Sequence, residues 1–130
     1  MDERWAIYKG IKYSAALRLD GSILLRSTDE RDIQNGFQTR DVRKDSPYKC
    51  FKTVSKNEVS EVYDIIVKAE YKGYMGDVLE ENGDKVFIQI PNLLPEEAQR
   101  LQMEYATDPG IYVKWVPKSE VKLYTNKVKL

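Results

Sequence analysis

Histidine is missing from this chain, and cysteine occurs once, at position 50. Without histidine there is no Ser-His or Cys-His nucleophilic pair and no imidazole metal site. The side chain that most often moves protons near neutral pH is gone as well. A lone cysteine excludes an intramolecular disulfide. Cys50 sits in the strand-like run Tyr48-Lys49-Cys50-Phe51-Lys52 and is expected to be a small buried hydrophobe, not a nucleophile. No apolar run approaches the roughly 18 residues of a membrane-spanning helix. An excess of one charge is lacking too. The 21 basic and 21 acidic residues cancel, whereas nucleic-acid binders usually carry a basic surplus.

Phosphate-binding and catalytic motifs are equally scarce. Gly73-x-x-Gly76 has neither the Lys-Ser/Thr ending nor the following helix of a phosphate loop, and no dinucleotide fingerprint exists. The carboxylate pairs Asp29/Asp32, Glu80/Glu81 and Glu96/Glu97 fall on turns or first helical turns. Glycosidase chemistry needs carboxylates facing each other across a cleft. Glu80-Glu81-Asn82-Gly83-Asp84 lacks the spacing of a calcium loop. No catalytic residue, metal site or cofactor is expected. The start, Met1-Asp2-Glu3-Arg4-Trp5, is charged at once and has no apolar core of a secretory signal, so a cytoplasmic location is expected.

What is present is a soluble-protein composition, 42% apolar and 32% charged, with internal self-similarity. Lys52-Thr53-Val54-Ser55-Lys56-Asn57-Glu58-Val59 matches Lys114-Trp115-Val116-Pro117-Lys118-Ser119-Glu120-Val121 at five of eight positions, 62 residues apart. Tyr8-Lys9-Gly10 matches Tyr71-Lys72-Gly73, and the glycine after Asp20 matches the glycine after Asn82. Three blocks in one order at nearly one offset indicate a duplicated, β-rich unit.

Each unit follows one plan. Trp5 to Tyr8 is strand-prone and Gly10 interrupts it. Ile11 to Leu19 is a second strand with Tyr13, Ala15, Leu17 and Leu19 on one face. Asp20-Gly21 is expected to form a type I′ hairpin turn, and Ser22 to Arg26 returns. The second unit repeats this with Val67 to Tyr71, Tyr74 to Leu79, Asn82-Gly83 and Lys85 to Ile90. A short helix comes next in each: Asp29 to Asn35, capped by Ser27 or Thr28 and stopped by Gly36, and Glu96 to Tyr105, opened by Pro95. Asp108-Pro109-Gly110 ends the second insertion. A fourth strand, Tyr48 to Val54 or Ile111 to Val116, leads through a 3₁₀ turn to a short closing strand, Ser60 to Tyr63 or Lys122 to Tyr124. Among the 14 aromatics, Trp5, Tyr8, Tyr13, Phe37, Tyr63, Phe87 and Trp115 are expected in the core.

The ending Gly110 to Val121 resembles the end of an SH3-like barrel, where a strand meets a proline-containing 3₁₀ turn and a last short strand. The acidic loop and paired aromatics of peptide-binding SH3 domains have no match here. The resemblance implies a mainly β (α+β) fold of two tandem SH3-like β-barrel repeats, residues 1–63 and 64–130. Each has a short helix inserted before its fourth strand. With no polar linker between them, the two are expected to pack as one compact body.

Charge is segregated. Residues 77–108 hold eight acids and two bases, a net −6; residues 40–56 hold six bases and two acids, a net +4. An acidic face suits a basic partner. The whole chain is similar in character to small bacterial immunity proteins of polymorphic-toxin systems, which are cytoplasmic, β-rich and without catalytic residues. That resemblance implies a stoichiometric inhibitor covering the active site of a cognate toxin, such as a basic nuclease. The expected partner-binding residues are Asp77, Glu80, Glu81, Asp84, Tyr74, Glu96, Glu97, Arg100, Glu104 and Tyr105. No membrane role is expected. The alternative is a nucleic-acid-binding module using the basic stretch 40–56 with Tyr48 and Phe51, which zero net charge disfavours.

Overall fold

A computed structural model describes residues 2–106, 108 and 110–130. Among these residues it is mainly β: ten strands in an antiparallel sheet, one α-helix of six residues and three 3₁₀ segments. Among the described residues no helix is long and apolar enough to cross a membrane. The chain divides into two compact units. One comprises residues 3–65 and 127–130, the other 1–2 and 66–126.

In the first unit, strands β1 (Glu3–Tyr8), β2 (Ile11–Leu17), β3 (Ile23–Ser27) and β4 (Cys50–Val54) form a meander, and β5 (Val59–Tyr71) returns beside β1. The order is therefore β4-β3-β2-β1-β5. In the second unit the latter half of β5 is followed by β6 (Tyr74–Asn82), β7 (Lys85–Pro91), helix α1 (Pro95–Arg100), the two-residue β8 (Glu104–Tyr105), β9 (Ile111–Pro117) and β10 (Val121–Lys129). Its order is β8-β9-β7-β6-β5, with β10 on β5. The 3₁₀ turns Lys56–Glu58 and Lys118–Glu120 precede β5 and β10, where the repeated Lys-x-Glu-Val segments stand. No pairing among the described residues closes either set into a barrel; the sheet is open.

Alternation of side chains along the strands places one apolar face inward in each unit. The first core contains Ala6, Tyr8, Tyr13, Ala15, Ile23, Leu25, Phe37, Cys50, Val54 and Val62. The second contains Ala69, Tyr71, Val78, Val86, Ile88, Ile90, Leu93, Ala98, Leu101 and Val116. Cys50 is buried among the first, as expected, and burial pushes its thiol pKa up.

Several local expectations need correction. The left-handed pairs are Lys9-Gly10 (φ 49° and 77°) and Lys72-Gly73 (φ 49° and 88°), so these make the I′-like turns. At Asp20-Gly21 only the glycine is left-handed, and Arg18 and Ser22 close a wider loop in which Leu19 is fully exposed. The first insertion, Glu30–Asn35, is 3₁₀, and Asp29 caps it by accepting from the Arg31 N–H. Gly36 is its left-handed stop, as expected. The second helix begins at Pro95 but ends at Arg100, short of Tyr105. Gln102 turns left-handed (φ 56°), and the Met103 N–H bonds the Ala98 carbonyl at 2.9 Å, which is a Schellman closure made without glycine. The closing strands are long: β5 runs for 13 residues and β10 for 9. Pro109 lies outside the described residues.

Candidate functional site

The expected acidic surface does not form one cluster. Glu80, Glu81 and Asp84 stand at the β6–β7 hairpin. Tyr74 begins β6, about 20 Å away at the usual rise per strand residue. There Tyr74 donates to Glu97 at 2.5 Å and accepts from Arg100 at 2.7 Å. The Tyr74 hydroxyl holds the Glu97 carboxyl below its ordinary pKa, and the Leu94 N–H, donating at 3.0 Å, adds to this. Glu97 is thus part of the start of α1. Asp77 pairs with Lys68, and Glu81 with Lys118. Of the expected acids, Glu80, Asp84, Glu96 and Glu104 make no ion pair among the described residues. Tyr105 is 61% exposed and packs edge-on against Tyr112 at 5.6 Å.

The aromatic residues change the picture most. Phe87 and Trp115 are register partners on β7 and β9, with Glu80 in the same row on β6. Their neighbours Val86 and Val116 point into the core, so alternation sends Phe87 and Trp115 to the opposite, solvent-facing side. Trp115 is 40% exposed, and the two rings stack at 5.1 Å and 34°. The expected core placement of Phe87 and Trp115 is therefore wrong; period-2 alternation from Val116 was the signal that locates them. Trp5 is likewise outside the first core, half-buried on the outer face. Tyr8, Tyr13 and Phe37 are in the first core as expected, whereas Tyr63, also buried, is the register partner of Trp5 and stands outside that cluster.

On this outer face of the second unit, Leu79 (41% exposed) lies on β6 next to the Phe87–Trp115 row, and Met75 (53%) lies farther along β6, beyond the row of Asp77 and Gln89. Leu79 is the extra residue where the β6–β7 register shifts. The next row carries Asp77, Gln89, Val113 and Glu104 across four strands. The result is an exposed aromatic and aliphatic patch with Glu80 and Glu104 on its margin. Among the described residues no group of histidine, cysteine, aspartate or glutamate is placed to hold a metal ion.

A family model matches residues 1–130. The chain therefore belongs to the family described as uncharacterised conserved protein UCP033725. No curated protein and no solved structure matches it.

Proposed function

We propose that the chain is a non-catalytic, cytoplasmic protein-binding protein whose partner is basic, and that it acts as an immunity protein neutralising a cognate bacterial toxin. The observation that carries this reading is the stacked Phe87–Trp115 pair on the solvent side, in register with Glu80, which makes no ion pair among the described residues. Exposed aromatics surrounded by charge are what protein interfaces concentrate their binding energy in. Unpaired acids at the margin would speed encounter with a cationic surface.

The scaffold in this proposal is a duplicated, open SH3-like meander. Its support is the order of strands in each unit, fourth-third-second-first-fifth, with a 3₁₀ turn between the fourth and fifth. The paired Lys-Gly turns at positions 9–10 and 72–73 add to it.

The test is co-purification from a native host with wild type, Trp115→Ala, and Glu80→Lys combined with Glu104→Lys. The expected partner is basic, is inhibited at one-to-one stoichiometry, and binds Trp115→Ala about 30-fold or more weakly, the loss typical of a central aromatic. The charge reversals should mainly slow association. Glu81 and Glu97 are poorer choices for reversal, because Lys118 and Tyr74 already occupy them. Capture unaffected by either variant, or a captured protein whose activity is not inhibited, would exclude this surface.

A further inference from the structure

The first unit has its own recess on the solvent side of the sheet, about 440 Å³ in volume. Trp5, Ser14 and Arg26 lie side by side across β1, β2 and β3, and Tyr48 lines the recess from the segment before β4. The Tyr48 hydroxyl donates to Ser14 Oγ at 3.1 Å, which fixes that ring over β2. Lys12 Nζ stands 4.1 Å from the centre of the Trp5 ring, and the Arg26 guanidinium 5.1 Å from that of Tyr48.

Arg26 donates one N–H to the Ala15 carbonyl at 3.1 Å. Its Nε is buried and has no hydrogen-bond partner among the described residues. A buried guanidinium N–H without an acceptor is destabilising, and an incoming oxygen would relieve it. The carboxylates lining the recess are committed elsewhere. Asp32 accepts from Tyr13, Ser27 and Asn35, and Asp29 from Arg31. The recess therefore presents an unsatisfied cationic donor, a second cation without an ion pair among the described residues, and two aromatic rings.

The same chemistry continues along the row. Arg26 is the register partner of Phe51 on β4, and the Arg40 guanidinium lies 5.1 Å over the Phe51 ring. Lys12, Arg26 and Arg40 thus follow one another over β2, β3 and β4, each beside an aromatic ring. A single small anion would satisfy Arg26 and leave the rings unused. A free nucleotide would fill the recess and leave Arg40 unused. A row of cations alternating with rings matches a phosphate backbone with stacked bases. We infer that this face of the first unit binds single-stranded nucleic acid, with a base against Trp5 or Tyr48 and phosphates at Lys12, Arg26 and Arg40. The row uses none of the residues of the Trp115 patch, so its success or failure leaves the protein-binding proposal untouched.

The experiment uses the full chain carrying Trp115→Phe, which leaves Trp5 as the fluorescence reporter. It is titrated with an oligo-dT of about fifteen nucleotides, enough to span a site of ordinary size, and separately with AMP and inorganic phosphate. The oligonucleotide should quench Trp5 saturably. Three phosphate contacts to a single strand give a slope of about −2 in log affinity against log salt. Lys12→Ala and Arg40→Gln, both at exposed positions, should each weaken binding about tenfold and reduce the slope by about 0.7. Arg26→Gln should do the same, with circular dichroism checking its fold; if it misfolds, the two exposed variants decide. No quenching by the oligonucleotide, or quenching that Lys12→Ala and Arg40→Gln leave unchanged, would overturn the inference. Equal affinity for AMP or phosphate would overturn it as well, in favour of a small-anion site.

Discussion

Asp32 is a carboxylate 9% exposed at the edge of the first core. Burial alone would raise its pKa. Hydrogen bonds from Ser27 at 2.6 Å, Asn35 at 3.0 Å and Tyr13 at 3.1 Å outweigh that and hold it below the ordinary carboxylate value. Tyr13 is pushed up to about 12, by burial first and by Asp32 second, and so stays a neutral donor. A depressed carboxylate contributes stability that is present above the unfolded value of about 3.9 and lost as pH falls through the lower folded value. Asp32→Asn should therefore lower stability at pH 7 by about 1–3 kcal/mol, the cost of disrupting a buried charged hydrogen-bond set. It should also flatten the acid limb of the stability curve below about pH 4. Urea unfolding of both proteins between neutral pH and strong acid reads this directly. Parallel curves would show that Asp32 is not the titrating group.

The hairpins set the register of both units, and their turns were only half legible. Tyr-Lys-Gly was visible as a repeated block and Gly10 as an interruption, but the type I′ geometry was expected at Asp20-Gly21. That turn type asks for two left-handed residues, and lysine at the first position gives no compositional hint of it. Gly10 and Gly73 each have open space where a Cβ would stand, so an alanine there meets backbone strain and no clash. Gly10→Ala and Gly73→Ala should each cost about 1 kcal/mol, while Lys9→Asn and Lys72→Asn should raise stability slightly, since asparagine tolerates φ > 0. Matched shifts in denaturation midpoint for the two members of each pair are expected. A loss at one turn with none at the other would mean the two hairpins are not energetically equivalent. The 3₁₀ turns before β5 and β10 were readable because their Lys-x-Glu-Val segments repeat. The end of α1 was not, because Gln102 does there what glycine usually does. Phe87 and Trp115 are apolar enough to suggest a core position, but strand parity with the buried Val86 and Val116 sends them outward.

For the whole molecule, neutrality conceals a division. Residues 3–65 with 127–130 hold fourteen basic and ten acidic side chains, a net +4. Residues 1–2 with 66–126 hold seven basic and eleven acidic side chains, a net −4. The zero total that disfavoured nucleic acid therefore says little about either unit. Opposite signs on separate units suit two partners of opposite charge, a polyanion on the Arg26 row and a basic protein on the Trp115 patch. The two proposed bindings should separate by mutation. Lys12→Ala and Arg40→Gln should weaken oligonucleotide binding about tenfold and change capture of the protein partner by less than about twofold. Glu80→Lys with Glu104→Lys should do the reverse, and both interactions should weaken as salt rises from about 50 to about 200 mM. Measuring both bindings on the same preparation of each variant makes the comparison internal. If either charge set controlled both bindings equally, the two partners would share one surface, and the division by charge would not be a division of function.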